Sequence, residues 1–88
     1  MTPQMHALKT WPVPFDAIMS GEKTFEIRRD DRGFRVGDIL TLRRYEPSRK
    51  SYTGENISVK VSYILEGTDW GLQDGFVAMA IDTTFSHY

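Results

Sequence analysis

Four polar residues with the chemistry of a binding or catalytic site lie close together in the chain: Lys23, Thr24, Glu26 and Arg28. Successive side chains of a β-strand point to opposite faces, so Thr24, Glu26 and Arg28 are predicted to share one face, with Lys23 at its end. A lysine beside a carboxylate is suited to proton transfer, and an arginine is suited to bind phosphate. The alternative is an ordinary ion pair on a solvated strand, which adds little stability.

A basic stretch in the middle of the chain points to an anionic ligand. Residues 28–50 hold eight of the eleven lysines and arginines against four acids, a net charge of +4, while the whole chain carries −1. Seven of these eight cations are arginine, which binds phosphate through paired hydrogen bonds and stacks on aromatic rings. Arg28 and Arg29 are therefore predicted to hold phosphate. The alternative is a mixed-charge loop surface without a ligand, because the chain as a whole is not basic.

Several aromatic residues are available to stack on a nucleic-acid base. The candidates are Trp11, Tyr45, Tyr63 and Trp70. Trp70 is favoured because the glycine-flanked loop around it shows no strand pattern that would bury it. His6 and Lys9 are predicted to lie beside the site if the first strand pairs next to the strand of Glu26. For each aromatic residue the alternative is packing in the core or at its rim, and for His6 it is a structural hydrogen bond.

The composition gives no support to a metal or cofactor site. The chain has no cysteine and only two histidines, His6 and His87, so it lacks a ligand set with metal-binding spacing. It also lacks a glycine-rich phosphate loop. Its 88 residues predict one domain over residues 1–88. A signal peptide and an apolar run of the ~20 residues that span a bilayer are both absent, so we expect a cytoplasmic protein without a membrane partner.

The elements that must position these residues follow from the alternation of apolar and polar side chains. Five strands are predicted, over residues 6–11, 23–29, 39–45, 57–65 and 76–81. Phe15, Ile18 and Met19 follow the spacing of a short helix, and Gly21 is predicted to end it. A polar loop is expected over residues 46–56. The predicted fold is α+β and mainly β, a small curved sheet or closed barrel with one or two short helices.

The same alternation predicts which side chains fill the core. In the second strand these are Phe25 and Ile27, opposite the polar face of Glu26. In the fourth strand they are Ile57, Val59, Val61, Tyr63 and Leu65. Phe34 and Val36 are predicted to anchor the loop before the third strand.

With these residues in place, the chain resembles the ASCH domains, relatives of the PUA RNA-binding domain, and in particular a bacterial and phage branch of uncharacterised function. The resemblance runs from His6 to about Ile81 and rests on five stretches: His6-x-Leu8-Lys9-Thr10-Trp11-Pro12, Phe15-x-x-Ile18-x-x-Gly21-x-Lys23-Thr24-Phe25-Glu26-Ile27-Arg28, Asp31-Arg32-x-Phe34-x-Val36-Gly37-Asp38, Tyr52-Thr53-Gly54 and Tyr63-Ile64-Leu65. It implies a PUA-like β-barrel with a helix beside a cleft, which the strand of Glu26 and Arg28 lines. RNA or a modified nucleoside is the ligand that it implies.

Some ASCH-like proteins resemble ribonucleases, and others are amidohydrolases with a lysine, a threonine three residues later and a distant glutamate. Lys23 matches that lysine, but Glu26 stands where the threonine is expected, and Thr24 is displaced by two positions. For the distant glutamate, Glu66 is one candidate, and Asp69 and Asp74 are weaker ones. A carboxylate cannot replace a hydroxyl nucleophile without a change of mechanism, so this departure argues against the amidohydrolase reaction.

Three hypotheses follow. The first is an RNA- or nucleotide-binding domain whose ligand contacts are His6, Lys9, Trp11, Lys23, Glu26, Arg28, Arg29 and Trp70. The second is a small hydrolase of RNA or a modified nucleoside, in which Lys23 is the base, Glu26 its partner and Thr24 a further catalytic group. The third is a phage or host accessory module that binds another protein through an arginine-rich loop with Arg43 and Arg44.

Overall fold

Five β-strands and one α-helix account for most of the residues 2–84 that the computed structural model describes. The elements are β1 (Met5–Thr10), α1 (Pro12–Met19), β2 (Phe25–Arg29), β3 (Ile39–Glu46), β4 (Ser51–Glu66), a single 3-10 turn (Thr68–Trp70) and β5 (Phe76–Asp82). His87, considered above as a metal ligand, lies outside the described residues. The predicted class, mainly β with a short helix, is confirmed.

The strands form one curled sheet, a half-barrel in the order β1-β3-β4-β5-β2. β1 runs parallel to β3, and the other neighbours are antiparallel. β1 and β2 are thus the two edges, although only α1 and a short loop separate them in the chain. The helix packs against β3, with Phe15 and Ile18 fully buried.

Arginine side chains, rather than a backbone ladder, join the two edges. Within the described residues β1 pairs only with β3 and β2 only with β5, so of the two predicted forms, a curved sheet or a closed barrel, the structure has the curved sheet, open between these edges. We call this opening the seam. Arg28 Nη2 donates a hydrogen bond to the Lys9 carbonyl (3.0 Å), and Arg32 Nη1 donates one to the Ala7 carbonyl (3.1 Å). These guanidinium groups satisfy edge carbonyls that would otherwise invite another strand.

The core lies on the concave face of the half-barrel. Its members are apolar side chains of the helix, the nine-residue loop 30–38 before β3 and four strands: Leu8, Phe15, Ile18, Phe34, Leu40, Leu42, Val59, Val61, Val77, Met79 and Ile81. Phe34 anchors its loop as predicted, whereas Val36 is exposed. The helix ends as predicted, since Gly21 takes a positive φ of 84° and donates its N–H to the Ile18 carbonyl (3.1 Å).

The predicted faces of β2 are inverted. Phe25 and Ile27 are 47% and 52% exposed, while Glu26 is only 4% exposed. Directly paired residues of an antiparallel ladder share a face, and Glu26 pairs with the core residue Met79. Glu26 and Arg28 therefore point inward while Thr24 stays exposed, because β2 is an edge strand whose inner face borders the seam rather than the middle of the core.

β4 is longer than predicted and changes face along its length. It begins at Ser51, so most of the expected polar loop is a hairpin arm, and the turn lies at residues 47–50. A register shift between Val61 and Tyr63 interrupts its pairing with β5. Such a bulge inverts the alternation beyond it. Tyr63 is consequently exposed, and Ile64 packs against the core in its place.

Candidate functional site

A cleft of about 580 Å³ opens at the seam. It lies where the end of β1, the start of α1 and the strand β2 meet. Its lining is Lys9, Thr10, Trp11, Pro14, Lys23, Phe25, Glu26, Ile27 and Arg28. We call it the seam cleft. Its volume lies within the range of small-ligand pockets, which is roughly 300–1,000 Å³.

A buried carboxylate held between two cations lies in the seam cleft. Glu26 Oε1 accepts a hydrogen bond from Lys23 Nζ (2.7 Å), and Glu26 Oε2 accepts one from Arg28 Nε (2.8 Å). Lys23 Nζ also donates to the Phe25 carbonyl (2.6 Å). Two cations and one anion leave this trio with one net positive charge. Charge-assisted hydrogen bonds of this length fix all three side chains in place.

Arg28 extends this polar group across the seam to β1. Its Nη2 donates to the Thr10 hydroxyl (3.2 Å) as well as to the Lys9 carbonyl, and Thr10 donates onward to the Leu8 carbonyl (3.2 Å). Within residues 2–84 the Nη1 group of Arg28 makes no hydrogen bond, so two of its five N–H donors are available to a ligand. The guanidinium is thus oriented on one side and open on the other.

Apolar side chains border this charged group. Trp11, Phe25 and Ile27 all line the seam cleft, and each is about half exposed. Trp11 is also stacked on Tyr45, with ring centroids 5.3 Å apart and planes inclined by 21°. A planar ring with an exposed apolar surface, next to fixed cations, suits a ligand that is aromatic at one end and anionic at the other.

Local sequence places these groups together. Trp11 is the N-cap of α1, and Pro12 and Pro14 start the helix at a position where a missing N–H has no cost. At the other end, Gly21 turns the chain back, and the Lys23 N–H donates to the Ala17 carbonyl (3.0 Å). The two-turn helix therefore carries the chain from one edge of the seam to the other.

A protein family matches nearly all of the sheet and helix that form the seam cleft. The family described as "Domain of unknown function (DUF3850)" matches residues 5–81, which include every element from β1 to β5 except the last residue of β5. The chain belongs to the DUF3850 family.

A relative of this chain comes from a bacterial virus. The chain is 29% identical over 70 residues to a protein of Escherichia phage P2 described as "Uncharacterized 12.9 kDa protein in GpA 3'region". The match covers 80% of this chain and 62% of the phage protein, so the chain spans less than two thirds of that relative's length.

His6, predicted as a ligand contact, instead belongs to a structural cluster of this DUF3850 domain. Its Nε2 lies 2.9 Å from Asp38 Oδ2, and its ring packs edge-on against Phe34 at 4.9 Å. Asp38, 2% exposed, also accepts hydrogen bonds from the backbone N–H groups of Gln4 and Arg35, each at 3.0 Å. Burial raises the pKa of Asp38, but these hydrogen bonds from Gln4, His6 and Arg35 outweigh it and hold the pKa below its ordinary value. We call this group the Asp38 cluster.

Three further predicted site residues lie outside the seam cleft. Arg29 points away and packs over the Phe76 ring at 4.8 Å. Trp70, in the 3-10 turn, is 68% exposed and lies outside the lining, as does Thr24. Of the eight predicted ligand contacts, the structure brings together Lys9, Trp11, Lys23, Glu26 and Arg28.

The carboxylates considered for a hydrolase are also apart from Lys23. Glu66 and Asp74 line a separate pocket with Asp30, and Asp69 lines neither. Arg43 and Arg44, considered above as contacts for a protein partner, lie in β3, within the strand predicted over residues 39–45. Arg44 is bound to Asp16 through two hydrogen bonds of 3.0 and 3.2 Å.

Sequence reasoning missed four residues of the seam cleft: Thr10, Pro14, Phe25 and Ile27. Phe25 and Ile27 were assigned to the core because alternation shows which residues share a face, not which face is inside. The polar row of β2 was the available signal for an edge strand beside a cleft. Among the described residues no group of three or more His, Cys, Asp or Glu side chains is placed to hold a metal ion, and no helix is long and apolar enough to cross a membrane.

Proposed function

We propose that this DUF3850 domain binds RNA or a nucleotide-like ligand in the seam cleft and is an ASCH-type, PUA-like domain. The observation that supports the binding most is the meeting of a half-exposed tryptophan and an oriented, partly unoccupied guanidinium in one cleft of nucleotide size. The half-barrel with its helix beside the cleft supports the PUA-like assignment, as does the place of the Lys23–Arg28 segment on the cleft wall.

In the proposed complex the base lies against Trp11 and the exposed surfaces of Phe25 and Ile27. The phosphate accepts hydrogen bonds from Arg28 Nη1 and from the remaining N–H of Lys23. Glu26 holds Lys23 and Arg28 in position. Because each of its carboxylate oxygens is already bound by one of these cations, Glu26 affects the ligand mainly by orienting them. This role differs from the direct base contact predicted from the sequence.

Tryptophan fluorescence tests the proposal, because the chain has only two tryptophans and one lies outside the cleft. In a Trp70→Phe variant Trp11 is the sole reporter. We expect nucleoside monophosphates or short RNA to quench it in a saturable way. Calorimetric titration, which needs no reporter, should show that Trp11→Ala weakens binding by about tenfold, as for one lost stacking contact. Trp70→Ala is the matched control and should leave affinity unchanged. Binding that is absent at low salt, or that is lost equally in both alanine variants, would contradict the proposal.

A second candidate function is hydrolysis of RNA or a modified nucleoside, and the 2.7 Å contact between Lys23 and Glu26 is the observation that favours it. In this version Lys23 is the base and Glu26 its partner. Thr24 has no part in it, since it lies outside the cleft lining. Turnover that is lost in both Lys23→Ala and Glu26→Gln, with binding retained, would support the reaction. A rate that neither variant changes would exclude these roles.

A further inference from the structure

A strip of aromatic and cationic side chains leads from the seam cleft across the outer face of β1, β3 and β4. Trp11 stacks on Tyr45, and Tyr45 meets Tyr52 edge-on with ring centroids 5.1 Å apart. Lys9 and Arg43 complete it. We call these five residues the aromatic strip. Because Trp11 also lines the seam cleft, the strip is continuous with the cleft.

Register and burial place the strip on the outer face. Lys9 lies between the buried Leu8 and Thr10, and its parallel partner Arg43 follows the buried Leu42. Alternation therefore points both cations away from the core. Tyr45 and Tyr52 are direct partners in the β3–β4 ladder and share a face.

The two cations of the strip are held over rings and are not neutralised. Lys9 Nζ lies 4.2 Å from the centroid of Tyr45, and Arg43 Cζ lies 3.8 Å from that of Tyr52. Within residues 2–84 neither forms a salt bridge, whereas their neighbour Arg44 is paired with acids. Like charges on directly paired residues repel each other. An anion bound between Lys9 and Arg43 would relieve that repulsion.

We propose that the aromatic strip binds single-stranded RNA that continues out of the seam cleft. Its phosphates lie against Lys9 and Arg43, and its unpaired bases stack on Trp11 and the half-exposed Tyr52. The inference rests on the proposed function for the first nucleotide, which occupies the cleft. A duplex does not fit this arrangement, because its bases are already paired and stacked.

The test compares one nucleotide with a strand on the same protein. The probes are adenosine monophosphate and a labelled oligoadenylate of about eight nucleotides, a length within the range that small single-strand-binding domains cover. We expect Tyr52→Ala and Arg43→Gln each to weaken oligoadenylate binding by about tenfold. The affinity for adenosine monophosphate should not change in either variant.

Two control variants on the same strand should leave both affinities unchanged: Tyr63→Ala removes an exposed tyrosine and Lys60→Gln an exposed cation, both towards the other end of β4. A salt titration adds a readout that loss of packing would not change. Loss of one phosphate contact in Arg43→Gln should reduce the slope of log K against log salt by about 0.7.

The outcomes separate this inference from the proposed function. Adenosine monophosphate could bind in the cleft while the oligomer binds no more tightly, or while Tyr52→Ala and Arg43→Gln have no effect on the oligomer. Either result would overturn the proposed role of the aromatic strip and leave the proposed function of the seam cleft standing. If the oligomer binds in a strip-dependent way while the mononucleotide does not bind at all, the strip is supported and the cleft function fails. The proposal that the aromatic strip binds single-stranded RNA would also be overturned if duplex RNA bound with the same affinity as the oligoadenylate, or if the matching single-stranded DNA bound more tightly.

Discussion

Two buried carboxylates, Asp38 and Glu26, occupy opposite situations in this small protein. Asp38 accepts hydrogen bonds from two backbone N–H groups and His6, away from the cleft. Glu26 is bound by two long cationic side chains in the seam cleft. Backbone donors cannot turn towards a ligand, whereas side-chain cations with unoccupied N–H groups can. The comparison teaches that burial alone does not identify a functional acid. The hydrogen-bond partners of the carboxylate, and whether those partners border a cleft, distinguish the two.

The largest expected effect is on stability, at Asp38. Replacing it in Asp38→Ala leaves two backbone N–H groups and the histidine without their acceptor, which should cost about 2–3 kcal/mol of unfolding free energy. Chemical denaturation measures this loss. The nucleotide affinity of the folded fraction should change by no more than about twofold. In binding free energy this is well below the roughly 1.4 kcal/mol of a tenfold change in affinity. If Asp38→Ala greatly reduced nucleotide affinity and left the unfolding free energy unchanged, Asp38 would have the binding role that we assign to Glu26.

An intermediate effect is expected at Glu26, on ligand preference rather than on folding. Glu26→Gln keeps an acceptor for Lys23 or Arg28 but removes the only negative charge of the trio. The cleft then attracts phosphate more strongly, so the ratio of affinities for adenosine monophosphate over adenosine should rise by about threefold to tenfold. Calorimetric titration of both ligands gives this ratio. Asp38→Asn serves as the control, because it also removes one negative charge. If it raised the ratio of affinities equally, the effect would come from net charge and not from the seam cleft.

The smallest effect is the pH dependence of the Asp38 cluster. Its hydrogen bonds lower the pKa of Asp38 in the folded state, so the cluster stabilises the protein above the ordinary pKa of 3.8. That contribution is lost as the pH falls below about 3.8 and through the lower pKa of the folded state. The difference in unfolding free energy between the wild type and Asp38→Asn should therefore shrink over this range. A difference that grows on acidification would contradict the assigned direction.

The sequence predicted the framework of this site better than its orientation. The alternation around Val59 and Val61 and the glycine at position 21 depend on local rules, and the structure confirms both. Whether Phe25 or Glu26 faces inward depends on which strand lies at an edge, and that is set by pairing with β5 far along the chain. Local pattern cannot supply this information.

The candidate site shows the same division. Lys23, Glu26 and Arg28 were predicted together because their spacing is local, and the structure places them in one cleft. His6 was predicted beside them if β1 paired with β2, but β1 pairs with β3, so His6 meets Asp38, which directly precedes β3. Trp70 was favoured for its exposure and is exposed, yet exposure gave no information about its distance from the cleft.

Mapping of amide chemical shifts during a nucleotide titration tests the central claim most directly, because it observes both carboxylate regions at once. Adenosine monophosphate should shift the amides of Thr10, Trp11 and residues 23–28 in a saturable way, and those of residues 33–38 around Asp38 should stay in place. Shifts confined to the Asp38 cluster, or no saturable shift at the seam cleft at low salt, would contradict the claim that the Glu26 region is the ligand site.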